Sequence, residues 1–145
     1  EIDYHIEYID TGDDYSHLSA IILNRNYYDY LTTHFEVVEG IRYASADDLV
    51  CLKALAYLNL ISDKQAGKKV NTDDIKKHRR DVIMAAAYLP AGERYKVGGS
   101  IRKMLDDFLL AVEDTSIRKS LKDSLRIDDD TLDGILEVLK EGFVV

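Results

Sequence analysis

The sequence predicts an α+β fold that is predominantly helical, with short N-terminal strands followed by a helical bundle. Three observations predict it. Apolar and polar residues alternate near the N-terminus, apolar residues recur at helical spacing from Ser45 onward, and turn-forming residues gather between these stretches. With 145 residues, 46% hydrophobic and 32% charged, and a single Pro, the chain has the material for one globular domain or a well-folded piece of a larger one. Low complexity and wholesale disorder are excluded.

Ile2, Tyr4, Ile6 and Tyr8 alternate with Asp3, His5 and Glu7, the period of a strand with one buried face. A turn is expected over 11–14, a short buried strand over 18–23 and a brief helix over 26–31. Residues 35–38 and 41–43 flank Glu39-Gly40 and read as a small hairpin. From Ser45, a helix-capping residue with Asp48 three positions on, Leu49, Leu52, Ala56 and Leu60 predict a helix to about Ile61. The polar stretch 62–70, with Gly67, ends it. Thr72 opens a second helix whose first turn carries Asp73 and Asp74, where carboxylates complement the dipole, and Pro90 stops it. The connection 91–99 holds three glycines and reads as a lid or linker. Ser100 then caps a helix with the stripe Ile101, Met104, Leu105, Phe108, Leu109 and Val112. Ile117, Leu121 and Leu125 give a further stripe, and Leu132, Ile135, Leu136 and Leu139 another, with Thr131 beginning the final helix and Gly142 ending it.

Composition excludes several classes of function. Cys51 has no partner for an internal disulfide, and with four histidines no Cys/His metal cage can be assembled. The most apolar run, 49–61, is broken by Lys53 and Asn59 and falls short of the roughly 20 residues that cross a bilayer. No membrane span or secretory signal is read, so a reducing, cytoplasmic location is the expectation. The first residue is Glu1 rather than Met, and the expectation is a fragment with upstream sequence missing. The formal charge of −8 argues against coating nucleic acid over the whole surface. Its distribution is uneven: residues 64–80 carry seven Lys/Arg against two acids, or +5, leaving −13 for the remainder. That island is either a solvated helix face or a local site for phosphate groups.

Lys53 is the one charge within 49–61, on a face otherwise committed to burial. An ammonium there can snorkel to solvent, join an internal salt bridge or meet an anionic ligand. On the next helix Asp74, Lys77 or His78, and Asp81 fall on one stripe, while His78 also lies between Ile75 and Val82, as a core histidine satisfied by a neighbour would. Cys51 sits in the apolar helix as an inert core residue. Gly99-Ser100 and Asp106-Asp107 read as helix start and solvated face, with no strand or Asp-x-Asp pair there to present a metal. Glu7 and Asp3 come too soon before residue 16 to complete a metal site easily. No nucleophile elbow, Walker loop, Gly-x-Gly-x-x-Gly turn or His-Glu-x-x-His helix occurs.

Taken together, Ser16-His17-Leu18-Ser19-Ala20-Ile21-Ile22-Leu23, Tyr27-Tyr28, Leu52-Lys53-Ala54, Ala56-Tyr57-Leu58-Asn59-Leu60, Gly67, Val70 and Lys77-His78-Arg79-Arg80-Asp81-Val82 resemble the C-terminal half of bacterial nucleotidyltransferase-fold proteins of the abortive-infection AbiEii toxin type. The resemblance covers residues 16–89. It implies a polymerase β-like core in which a Gly-Ser turn holds the triphosphate and an Asp-x-Asp pair binds Mg2+, both upstream of this chain, with later helices supplying Lys and Asp to the nucleotide pocket. It implies nucleotide-binding roles for Lys53, Lys77, His78 and Asp81, with Asp81 bracing Lys77. His78 stands where other branches have Asp, and a second helical lysine expected near Leu58 or Asn59 is absent.

The expected organisation is an acidic α+β segment at 1–44 completing the nucleotidyltransferase-like core, a helical pair with a basic loop at 45–90, and a three-helix tail at 91–145. The expected function of the parent protein is Mg2+-dependent transfer of a nucleotidyl group from a nucleoside triphosphate to RNA or protein, as the toxin of a toxin-antitoxin or phage-defence pair. No metal is expected to be bound by this chain itself. The alternative is a non-enzymatic helical module that binds an antitoxin or another protein.

Overall fold

The computed structural model describes residues 6–10, 17–21, 29, 30, 32, 33 and 35–145. The expected turn at 11–14, the start of the first strand, the end of the second and most of the helix at 26–31 lie outside them. Asp29, Tyr30, Thr32 and Thr33 are helical. The fold is α+β and predominantly helical.

Strand β1 (Ile6–Asp10) pairs antiparallel with β2 (His17–Ile21), Ile6 opposite Ile21 and Asp10 opposite His17. Strands β3 (Phe35–Val38) and β4 (Ile41–Ala44) form the expected hairpin. Its two turn residues, Glu39 and Gly40, have φ of 51° and 79°, which the tight turn of a two-residue hairpin requires. Both faces of this ribbon are exposed, and Val37, Val38 and Ile41 are each more than half accessible.

Helix α1 (Ala46–Gln65) runs past the expected end at Ile61 because residues 62–65, though polar, contain no helix breaker. It closes where Gly67 turns left-handed at φ 79°: Gly67 N donates to Lys64 O (3.1 Å) and Lys68 N to Asp63 O (3.0 Å). Ser45 stands at the N-cap with its carbonyl accepting from Leu49 N, and its side chain makes no cap hydrogen bond. Helix α2 (Thr72–Ala87) opens at Thr72 as expected, and Asn71 caps it, its side chain accepting from Asp73 N.

Helices α3 (Gly99–Val112), α4 (Thr115–Leu125) and α5 (Asp129–Gly142) follow. The first has Gly98 at its N-cap, where Ser100 was the expected cap. Asp114 caps α4 through Ser116 N and Ile117 N, and α5 begins at Asp129, two residues before the expected Thr131, with Asp128 capping it by accepting from Thr131 N at 2.8 Å. Asp and Asn serve at these caps because a short carboxylate or amide reaches the free amides of the first turn.

The 91–99 connection is not a free lid. Its residues Tyr95–Lys96 (β5) pair in parallel with Phe143–Val144 (β6), and Val97 N donates to Val144 O at 2.8 Å. Arg102 reinforces the closure by donating through Nη1 to Leu139 O (3.0 Å) and Phe143 O (2.9 Å), carbonyls that the end of a helix leaves without partners. One core joins the pieces: Tyr57 of α1 meets Phe108 of α3 edge to face at 5.5 Å, and Leu121, Leu132, Leu139 and Phe143 are buried from the C-terminal side.

Arg102→Ala removes charge-assisted bonds to part-buried carbonyls and is expected to cost about 2 kcal/mol in urea unfolding. Lys103→Ala, which breaks only the exposed pair with Asp107, is expected to unfold at the same urea concentration as the parent.

Candidate functional site

Two grooves flank α2, and they differ in chemistry. The first lies between α1 and α2, holds about 270 Å³ and is lined by Leu49, Lys53, Asp81, Met84, Ala85 and Tyr88. At its centre Lys53 Nζ stands 3.3 Å from Asp81 Oδ2, with side chains 30% and 22% exposed. The lone ammonium of α1 is thus offset by a carboxylate of the facing helix while keeping contact with water, which combines the snorkelling and salt-bridge possibilities. Around it the rim is apolar and open, and the Tyr88 ring is 81% exposed.

His78 lies one turn before Asp81 and is half-buried. Its Nδ1 is enclosed and has no hydrogen-bond partner among the described residues, so it is not the satisfied core histidine expected from its position. Burial, then the neighbouring Lys53 cation, hold its pKa below the ordinary histidine value, against the weaker opposing pull of Asp81 and Asp74.

The second groove lies between α2 and α4 and holds about 410 Å³. Lys76, Lys77, Arg79 and Arg80 line one side, Ser120 and Ser124 the other, with Asp73 and Asp74 at the start of α2. Arg79 is only 7% exposed and donates from Nη2 to Ser120 Oγ at 3.2 Å. The Nε atoms of Arg79 and Arg80 are both buried without a partner among the described residues.

Of the residues singled out by sequence, Lys53, Asp81 and His78 come together and Lys77 does not join them. Lys77 is exposed and lines the α2/α4 groove, and Asp81, expected to brace it from four residues away, turns to Lys53 instead. An ion pair across two helices competes with one along a single helix, and the half-sheltered cation of α1 has more to gain from a carboxylate than an ammonium in water. Arg79 was absorbed into the charge run. The available signal was its place four residues after Ile75 and three before Val82, on the buried stripe.

No group of three or more His, Cys, Asp or Glu gathers among the described residues. Asp106 and Asp107 are exposed on α3 and paired with Arg102 and Lys103, while Asp128 is spent on capping α5. Glu7 falls in β1, and Asp3 lies outside the described residues. Cys51 is fully buried, and burial pushes its thiol pKa up. No described helix is long and apolar enough to cross a membrane. No family model, curated protein or solved structure matches the chain.

The exposure of both partners limits the Lys53–Asp81 coupling to about 1 kcal/mol or less in a Lys53→Ala, Asp81→Ala double-mutant cycle read by urea unfolding. For His78 the lowered folded-state pKa means that the unfolded chain binds the proton more readily. Its stabilising effect is therefore present above the ordinary histidine value near 6.5 and lost as pH falls below it. His78→Gln is expected to flatten that part of the profile of melting temperature against pH between 7.5 and 5, by a few degrees at most.

Proposed function

We propose that this chain is the helical, nucleotide-facing part of a nucleotidyltransferase-like protein of the AbiEii toxin type. The observation that carries the proposal is the Lys53–Asp81 pair, set half-sheltered across α1 and α2 in a groove that also offers an open aromatic ring. A cation beside an exposed ring is a combination that a nucleotide can use, its phosphates meeting the ammonium and its base stacking on the tyrosine. Lys53 would leave Asp81 to meet phosphate oxygens, and Asp81 would keep the side chain aimed at the groove before the ligand arrives. His78, which does not line this groove, would act on the ligand only through its neighbours Lys53 and Asp81. Lys77, in the other groove, would act only through its longer-range field.

Nucleotidyl transfer also requires magnesium and a triphosphate-holding turn, and under this reading both come from residues outside this sequence. The whole protein would move a nucleotidyl group from a nucleoside triphosphate to an RNA or protein acceptor, as a cytoplasmic toxin held in check by an antitoxin.

A second reading rests on a different observation. The β3–β4 ribbon exposes Val37, Val38, Ile41 and Tyr43 on its two faces, an apolar surface that suits a protein module seated on an antitoxin or other partner.

Titration of nucleoside triphosphate with magnesium into the protein carrying its catalytic half separates the two. The nucleotidyltransferase reading expects binding about tenfold weaker in Lys53→Ala, a loss of about 1.4 kcal/mol, and a smaller effect in Lys77→Ala. Unchanged binding in both variants supports the module instead.

A further inference from the structure

We propose that the groove between α2 and α4 is a separate binding site for a single phosphoryl group, held by Arg79 and Arg80. The proposal does not depend on the nucleotidyltransferase reading, which concerns the opposite groove of α2.

Arg79 is the starting point. A guanidinium withdrawn from water to 7% exposure ordinarily sits against a carboxylate, because its desolvation costs several kcal/mol. Here its hydrogen-bond partner is a neutral hydroxyl, Ser120 Oγ at 3.2 Å, and Nε is left enclosed without one. Asp114, whose carboxylate senses the Arg79 charge, is committed to the amides that open α4. A buried cation whose Nε has no partner among the described residues, lining a groove of about 410 Å³, is the arrangement that an anion suits.

The second arginine and the groove's composition narrow the ligand. Arg80 repeats the feature, with a buried Nε that has no partner among the described residues, and both arginines line the same groove, each with a planar guanidinium suited to a phosphoryl group. Four cations against Asp73 and Asp74 leave the groove at a formal +2, which matches a phosphate monoester or inorganic phosphate carrying about −2 and falls short of a triphosphate of about −4. The hydroxyls of Ser120 and Ser124 offer further donors on the α4 side. No aromatic side chain lines this groove among the described residues, so nothing there would stack a base. The recognised chemistry is the phosphoryl group itself, whether free or carried in a phosphodiester backbone.

The test is isothermal titration calorimetry on the full chain at constant ionic strength, with inorganic phosphate in one arm and a short single-stranded RNA lacking a terminal phosphate in the other. Saturable binding of one phosphate per chain is expected, on the order of 1 mM. It should weaken about tenfold in Arg80→Ala and in Arg79→Lys, which keeps the charge and removes the fork, and be unchanged in Lys103→Ala, at a residue that lines neither groove. Should Arg79→Lys fail to show the parent melting transition, Arg80→Ala carries the test alone. The same pattern in the RNA arm assigns the site to backbone phosphate, and its confinement to the first arm assigns it to a small phosphate. The proposal is overturned if neither probe saturates, if Arg80→Ala binds like the parent, or if Lys103→Ala loses as much as Arg80→Ala. Loss of triphosphate binding in Lys53→Ala with phosphate binding intact, or the reverse, shows which of the two grooves has failed.

Discussion

The close packing of α1 on α2 is the constraint from which the rest of the molecule follows. Val50, Cys51, Ala54, Leu55 and Tyr57 on one helix and Val82, Ile83 and Ala86 on the other are all essentially inaccessible to water. Alanines at 54 and 86 leave room for the backbones to approach, and the larger neighbours fill the space beside them. Tyr57 then offers its ring to Phe108 and so fixes α3. The same interface brings a cation from one helix within reach of a carboxylate on the other. The groove that holds this pair would not exist if the two helices were to separate.

Helix α2 serves two neighbours at once because of simple geometry. Arg79 and Asp81 are two residues apart and therefore about 200° apart around the axis. One turns toward α4 and its serines, the other toward α1 and its lysine. A charge run that reads as one basic island in one dimension is thereby divided between two surfaces of different character.

Much of the helical architecture was legible because amphipathic spacing repeats over several turns and outweighs local noise. The boundaries were less so. The last helix begins at Asp129, ahead of the expected Thr131, because Asp128 caps it, and periodicity alone does not mark which polar residue takes that place. The β5–β6 clip was invisible, since two residues carry no period and their partners lie at the far end of the chain. For the candidate site, the pattern showed that Lys53 needed an answer to its charge. It could not show that Asp81 supplies one, because such a pairing is fixed by how two helices cross. Arg79 stayed hidden since counting charges in a window averages over a helix face, although its spacing from Ile75 placed it inward.

The solitary thiol of Cys51 has a practical consequence. It sits on α1 with no accessible surface, near enough to Arg102 of α3 to feel its charge, and burial keeps it protonated. An alkylating reagent can reach it only when the core around α1 opens, so its labelling rate is a clock for local opening. The molecule carries its own reporter of how often that packing breathes, at a position where no foreign dye need be introduced into the core.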